Sequence, residues 1–127
     1  MLLWDAHSIA SRVPRLFDGR LPDFNFGTDN GRTCAPLLVD CILTAAAAHP
    51  FGQVLNGRFK GGYITRHYGA PAHGIHALQL EMCQCLYMDE TAPFDYSPEI
   101  AARVQSALRG MLTAALAHLS RLSCNAP

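Results

Sequence analysis

The segment from residue 75 to residue 82 limits the folds open to this chain, because neither of its faces is wholly polar. In extended form it alternates between two faces: Ile75, Ala77, Gln79 and Glu81 on one, and His76, Leu78, Leu80 and Met82 on the other. Two largely apolar faces are typical of a strand in a sheet that is covered on both sides. We therefore predict an α/β fold, with a mostly parallel or mixed sheet, helices on both faces, and Glu81 at the end of this strand.

Two helices are predicted from start and stop signals. Thr33 is expected to cap the first helix, which tolerates Pro36 in its first turn and ends before residue 50. The second helix is predicted to begin at residues 97–99, where a capping serine, a proline and a carboxylate all favour helix initiation. An apolar stripe on this helix is predicted to pack against the sheet: Ile100, Val104, Leu108, Met111, Ala115 and Leu119.

The remaining segments are short strands and loops. Residues 2–4 and 53–56 are predicted as strands, and the first is expected to deliver polar residues to the edge of the sheet. Residues 9–32 and 57–74 show no persistent hydrophobic periodicity and are interrupted by proline or glycine. Both segments are therefore predicted as irregular loops.

The extent of the domain follows from length and composition. The 127 residues suffice for one domain, but half of them are apolar, so part of the apolar surface is expected to face a partner. A strand that begins at residue 2 would place the start of the chain inside a sheet. We therefore expect residues 1–127 to be the C-terminal portion of a single larger domain whose N-terminal portion is absent, and a native N-terminal strand is the alternative.

Charge and hydropathy exclude two classes of protein. Ten basic side chains balance ten acidic ones, which removes the electrostatic footprint of a protein that binds nucleic acid or an anionic membrane. The first residues lack the features of a secretory signal, and no apolar run approaches the roughly 20 residues of a membrane span. We expect a soluble, cytoplasmic protein with a small-molecule ligand.

The five cysteines include no C-x-x-C pair, so neither a disulfide framework nor a zinc ribbon is indicated. Cys83 and Cys85 could chelate a soft metal. Alternation along an extended chain also places both thiols on one face for packing reasons alone, and we favour that interpretation.

Two residues are candidates for chemistry at the ends of strands. His7, in the motif Asp-Ala-His-Ser, is a candidate metal ligand, and a structural or surface role is the alternative. Glu81 is a candidate general base toward a metal-bound water. Cations are present in the preceding sequence, so an ordinary ion pair is the alternative for Glu81.

The glycine-rich segment 56–69 suits a small acidic substrate. It combines the cations Arg58, Lys60 and Arg66 with glycines that let backbone N–H groups approach an anion. It has neither Walker spacing nor a strand–G-x-G-x-x-G–helix context, which argues against a nucleotide site. A solvated loop without a ligand is the alternative.

Three segments carry motifs that together resemble a known family. They are LLWDAHSIASRVPRLFDGRLPDFNFGT (residues 2–28), LNGRFKGGYITRHYG (55–69) and HALQLEMCQCLYMDE (76–90). In this order they resemble the C-terminal half of the N-formylglutamate amidohydrolase family, which is related to the zinc carboxypeptidases. The likeness runs from Leu2 to about Tyr96 and continues less specifically through the last helix.

The resemblance implies roles for particular residues. His7 matches the last zinc ligand of the family, and Glu81 matches the catalytic carboxylate that handles the proton of the attacking water. The pocket is implied to be walled by the loop that carries Arg58, Lys60, Tyr63 and Arg66. The family's other zinc ligands, a histidine and a glutamate, and an Asn-Arg pair for a substrate carboxylate belong to the N-terminal portion and have no counterpart here.

The resemblance implies that the complete enzyme uses Zn²⁺ to hydrolyse N-formyl-L-glutamate to formate and L-glutamate in histidine degradation. Two alternatives remain. The complete enzyme could be a zinc amidase for another N-acyl amino acid. The chain could instead be inactive and act as a structural or assembly partner, either as a homo-oligomer or bound to a complementary N-terminal chain.

Overall fold

A mixed sheet organises the chain, and the computed structural model describes residues 1–124, with side chains through residue 121. The strands are β1 (Leu2–Ile9), β2 (Phe24–Gly27), β3 (Gln53–Leu55) and β4 (His76–Cys83). The helices are α1 (Pro36–Ala47), α2 (Tyr63–Tyr68) and α3 (Pro98–Cys124), and short 3-10 helices occupy Pro71–His73 and Gln84–Leu86.

The strands lie in the order β1-β4-β2-β3. β1 runs parallel to β4, with Leu2 opposite His76 and Ile9 opposite Cys83. β2 is antiparallel to β4 and parallel to β3. The predicted α/β fold with a mixed sheet is confirmed.

One face of the sheet forms the core against α1 and α3. The even-numbered residues of β4 and the two phenylalanines of β2 project to this face, where α1 and α3 also pack against each other. The largest buried side chains there are Phe24, Phe26, Leu38, Ile42, Leu78, Leu80 and Met111. Each stabilises the fold by about 1.5–3 kcal/mol relative to an exposed position, so this layer holds the sheet in place.

The other face of the sheet is covered by α2 and the loop before it. The Thr65 hydroxyl of α2 lies 3.4 Å from a carboxylate oxygen of Asp5, and the Gly62 N–H donates to the side-chain oxygen of Gln79 at 2.7 Å. Helices therefore lie on both faces, as predicted. The cover on this second face is thin, because α2 has only six residues.

The predicted helices form, with two corrections. Pro36 begins α1, but Thr33 does not cap it, because its hydroxyl donates to the Ala77 carbonyl oxygen at 2.8 Å. Pro98 begins α3 as predicted. Ile100 is 45% exposed and lies outside the buried stripe, which is instead formed by Ala101, Val104, Ala107, Met111 and Ala115.

The predicted loops contain regular structure. β2 lies within residues 9–32, where four buried residues are too few to show a period. α2 lies within residues 57–74, between glycines at positions 62 and 69. β1 extends to Ile9 rather than ending at residue 4, so His7 lies inside the strand. Glu81 likewise lies two residues before the end of β4.

The described cysteines, Cys34, Cys41, Cys83 and Cys85, are free thiols, and the side chain of Cys124 lies outside the described residues. Among the helices of the described part of the chain, none has both the length and the apolarity needed to cross a bilayer.

Gly27 allows the loop before α2 to approach β2. A Cβ at this position would overlap the backbone nitrogen of Gly61 and would lie 2.6 Å from the carbonyl carbon of Lys60. The Asp29 N–H also donates to the Lys60 carbonyl oxygen at 2.6 Å, which anchors the loop at the same place.

We expect Gly27→Ala to lower the free energy of unfolding by about 1–3 kcal/mol, because the added methyl group meets rigid backbone. Urea unfolding of the 127-residue chain measures the change. Gly52→Ala is the matched control, since a Cβ there meets its nearest atoms at 3.8 Å. Equal stability of the two variants would contradict a close approach at Gly27.

Candidate active site

A row of polar side chains lies on the face of the sheet that α2 covers. In the parallel ladder His7 is opposite Glu81 and Asp5 is opposite Gln79. Because side chains two residues apart share a face, all four project to the same side. They line a cleft of about 340 Å³ together with Gly62, Tyr63 and Ile64.

His7 is held by a buried carboxylate. Its Nε2 lies 2.8 Å from Asp5 Oδ1. We assign the proton to Nε2, because an ionised carboxylate only accepts hydrogen bonds, and this leaves Nδ1 with a free lone pair. Asp5 is 9% exposed, whereas the side chain of His7 is 49% exposed. A carboxylate that orients an imidazole in this way is typical of metal-ligating histidines.

Glu81 is buried without a partner. It is 8% exposed, and no described residue forms a hydrogen bond or an ion pair with its carboxylate oxygens. Burial raises the pKa of Glu81 above its ordinary value, while the imidazole of His7 opposes this rise and the Asp5 carboxylate adds to it. A carboxylate in this state is suited to accept and release a proton.

The ion pair considered for Glu81 is not formed. Within residues 1–124 neither Arg58, Lys60 nor Arg66 contacts its carboxylate. The guanidinium of Arg66 instead donates to the carbonyl oxygen of Gly61 at 2.7 Å. Glu81 therefore does not form an ion pair with the cations that the sequence suggested as its partners.

The four predicted substrate residues are all exposed, and the structure brings one of them to the cleft. Tyr63 lines it, with the ring of His67 stacked at a centroid distance of 4.9 Å. Arg58, Lys60 and Arg66 do not line the cleft.

Sequence reasoning assigned no role to Asp5, Gln79 or Thr65. Asp5 orients His7, Gln79 accepts the Gly62 N–H, and Thr65 approaches Asp5 from α2. Two-residue spacing on a strand was the available signal for the first two, since Asp5 precedes His7 and Gln79 precedes Glu81 by two positions. No comparable signal points to Thr65.

A larger cleft of about 820 Å³ lies beside the start of α3, and its lining is chemically different. It carries the carboxylates of Asp89, Glu90, Asp95 and Glu99 with no basic side chain. Such a lining repels an anionic ligand. The smaller cleft, with an imidazole beside a carboxylate, is therefore the better candidate for an active site.

Comparison with known proteins identifies the family. The family model described as N-formylglutamate amidohydrolase matches residues 1–88. This chain belongs to that family. Two curated relatives, each called N-formylglutamate deformylase, are 56% identical over 117 residues and come from Pseudomonas aeruginosa and Pseudomonas putida. The match covers 91% of this chain and 44% of each relative, so the chain spans less than half of their length.

A solved structure supports the fold. The crystal structure of N-formylglutamate amidohydrolase from Ralstonia eutropha JMP134 superposes with a TM-score of 0.81 and 24% identity. The superposition covers 94% of this chain and 45% of that one. At this identity the likeness establishes that the two share their fold over the matched region.

The pKa of Glu81 predicts how stability depends on pH. Because the folded value lies above the unfolded one, the stabilising contribution of this group is fully present below the unfolded pKa of about 4.3 and is lost as pH rises through the folded pKa. In the metal-free chain, Glu81→Gln should therefore be more stable than the parent at pH 7, and the difference should disappear near pH 4.

Urea unfolding over a pH series measures this difference. Asp40→Asn is the control, since Asp40 is exposed on α1 and its replacement should change stability little at any pH. A Glu81→Gln difference that stays constant with pH would show that the carboxyl does not titrate in this way.

Proposed function

We propose that residues 1–127 form the C-terminal portion of a zinc-dependent amidohydrolase that converts N-formyl-L-glutamate and water to formate and L-glutamate. In the complete enzyme this would be a cytoplasmic step of histidine degradation. The observation that carries the proposal is the position of His7, oriented by Asp5, directly opposite the unpartnered carboxylate of Glu81. Membership of the family supports the choice of substrate.

The donor atoms at this site fit Zn²⁺. Imidazole nitrogen is a common zinc ligand, and the Asp5 hydrogen bond to Nε2 leaves Nδ1 of His7 available. A catalytic zinc site normally takes three protein ligands, and family resemblance implies that a histidine and a glutamate outside this chain supply the other two. Zinc bound there would polarise the formyl carbonyl and lower the pKa of a water toward roughly 7.

Glu81 would carry the proton. Its carboxylate accepts a proton from the attacking water as the C–O bond forms, and then donates it to the amine nitrogen as the C–N bond breaks. The raised pKa of Glu81 favours this second step, because burial makes the protonated form of the carboxyl easier to reach than in an exposed glutamate. Asp5 holds the imidazole in place, and Tyr63 borders the cleft on the side of α2.

Substrate recognition would use the cations of the loop. N-formylglutamate carries two carboxylates, and guanidinium and ammonium groups are their usual partners. Arg58 and Lys60 are exposed and form no described ion pair, so their side chains can turn toward a bound anion. Arg66 would first have to release the Gly61 carbonyl oxygen.

The recognition role is tested in a chimeric enzyme that joins the N-terminal portion of the Pseudomonas aeruginosa relative to residues 1–127. Each of the variants Arg58→Met, Lys60→Met and Arg66→Met removes one charge and keeps the bulk of the side chain. At least one variant should lose about tenfold in kcat/KM on N-formylglutamate and less on a formylated neutral amino acid. Arg103→Met, exposed on α3, is the control, and equal losses on both substrates would indicate a structural role for the loop.

The catalytic role of Glu81 is tested in the same chimera. Glu81→Gln keeps the shape of the side chain and cannot accept a proton, so kcat should fall about 10²–10⁴-fold while zinc content stays equal to that of the parent chimera. Glu99→Gln, at the start of α3, should change neither quantity. Near-normal kcat in Glu81→Gln would rule out Glu81 as the general base.

Two alternatives are separated by the same measurements. A zinc amidase for another N-acyl amino acid would keep the zinc and the Glu81 dependence but prefer a different substrate. A structural or assembly partner is favoured by one observation: β1 is an edge strand, and Met1, Leu2, Trp4, Leu112 and Leu116 line an apolar groove of about 360 Å³ beside it. An unpaired edge with apolar neighbours favours self-association or a complementary chain.

The 127-residue chain alone should neither bind catalytic zinc tightly at His7 nor hydrolyse N-formylglutamate, because this site offers one matched ligand where about three are needed. It should also self-associate through the β1 edge. Metal analysis after dialysis, an activity assay and light scattering measure these properties. A monomer that holds one zinc per chain and is active would mean that other residues complete the site.

A further inference from the structure

Two thiols and a carboxylate converge at the end of β4, outside the site described above. The Sγ atoms of Cys83 and Cys85 and a carboxylate oxygen of Asp23 all lie within 4.8 Å of one another. Cys83 ends β4, Cys85 lies in the 3-10 helix that follows, and Asp23 immediately precedes β2. The antiparallel pairing of β2 with β4 brings these three residues together.

A cationic nitrogen already sits between two of the three ligands. The same nitrogen of Arg20, Nη2, donates to Asp23 Oδ1 at 2.7 Å and to Cys85 Sγ at 3.5 Å. A cation is therefore already accommodated between Asp23 and Cys85. Arg20 is half-exposed, so its side chain can move into solvent when a competing cation arrives.

The approach to the cluster is acidic. Cys85 lines the cleft of about 820 Å³ that carries Asp89, Glu90, Asp95 and Glu99. The hydroxyl and the backbone N–H of Thr91 donate hydrogen bonds to the Asp89 carboxylate and hold its pKa below the usual range, so this group is ionised at neutral pH. An anionic cleft concentrates cations at its surface, and Cys85 is part of the lining of this one.

We propose that Cys83, Cys85 and Asp23 form a binding site for a thiophilic divalent cation of the Zn²⁺ and Cd²⁺ type. Two thiolates and one carboxylate are ligands that such ions accept, whereas Mg²⁺ and Ca²⁺ prefer sites built from oxygen alone. The cation replaces the two thiol protons, which are released to solvent, and displaces the Arg20 guanidinium from Asp23 and Cys85. The fourth position is open to water from the acidic cleft.

Cd²⁺ titration of the reduced 127-residue chain tests the proposal, with the ultraviolet thiolate-to-Cd²⁺ charge-transfer band and thermal unfolding as readouts. We expect the band to saturate at one ion per chain and the melting temperature to rise, because the ion binds the folded state. Mg²⁺ should produce neither effect. A chain with no charge-transfer band at stoichiometric Cd²⁺ would overturn the proposal.

Two variants should change the affinity for Cd²⁺ in opposite directions. Cys85→Ser changes a half-buried position, so it should keep the circular dichroism spectrum of the parent and lose the charge-transfer band. Arg20→Met should tighten Cd²⁺ binding about tenfold or more, because the competing guanidinium is gone. The gain in Arg20→Met cannot come from a failure to fold. Unchanged affinity in both variants would overturn the proposal.

Two controls separate this cluster from other ligands in the chain. Cys41→Ser removes a thiol that lies 3.5 Å from His118 Nδ1, and His7→Ala removes the imidazole of the candidate active site. Both variants should still show a charge-transfer band that saturates at one Cd²⁺ ion per chain. Loss of the band in either control, with Cys85→Ser unaffected, would place the cation elsewhere and refute the assignment.

Discussion

The parallel pairing of β1 with β4 is the constraint on which the rest of the structure depends. It joins the first residues of the chain to a strand that begins at His76, and its register sets His7 opposite Glu81. A slip of one residue would turn Asp5 and His7 toward the apolar layer and expose Leu2 and Trp4 on the polar face. The core under α1 and α3 and the cleft under α2 therefore depend on the same register.

Most, but not all, of the buried polar side chains on this face of the β1–β4 ladder form hydrogen bonds. Buried polar groups are costly unless they are hydrogen-bonded. Gln79 meets this requirement with the Gly62 N–H, and Asp5 meets it with His7. Glu81 has no such partner among the described residues, and its raised pKa is the consequence. Among the described residues, the fold thus leaves one buried carboxylate without a partner in the lining of the cleft.

The long elements could be predicted from the sequence because their signals are local. The two-faced pattern of β4 and the capping signals before α3 depend on neighbours in sequence, and both elements form where expected. β2 was missed because four buried residues carry no period, and α2 was missed because glycines flank it. Ile100 was misplaced because helical spacing alone does not fix which side of the stripe faces the sheet.

The site was harder to predict than the fold, because its details depend on contacts between distant segments. His7 and Glu81 stood out by motif and pattern, yet nothing local indicates that Thr65 approaches Asp5 or that Arg66 is bound to Gly61. The meeting of Asp23 with two cysteines some 60 residues later is likewise visible only after β2 pairs with β4. Tertiary pairing, rather than composition, decides these contacts.

One face of β4 carries three kinds of polar group in succession, the amide of Gln79, the carboxylate of Glu81 and the thiol of Cys83. Packing alone does not account for this row, since a buried and unpaired carboxylate destabilises a strand that an apolar residue would stabilise. Neighbouring segments place different side chains beside each of these positions. Glu81 lies beside an imidazole, whereas Cys83 lies beside a second thiol and Asp23. The two positions on the same strand are therefore surrounded by different donor atoms, nitrogen and oxygen around Glu81 and mainly sulfur around Cys83.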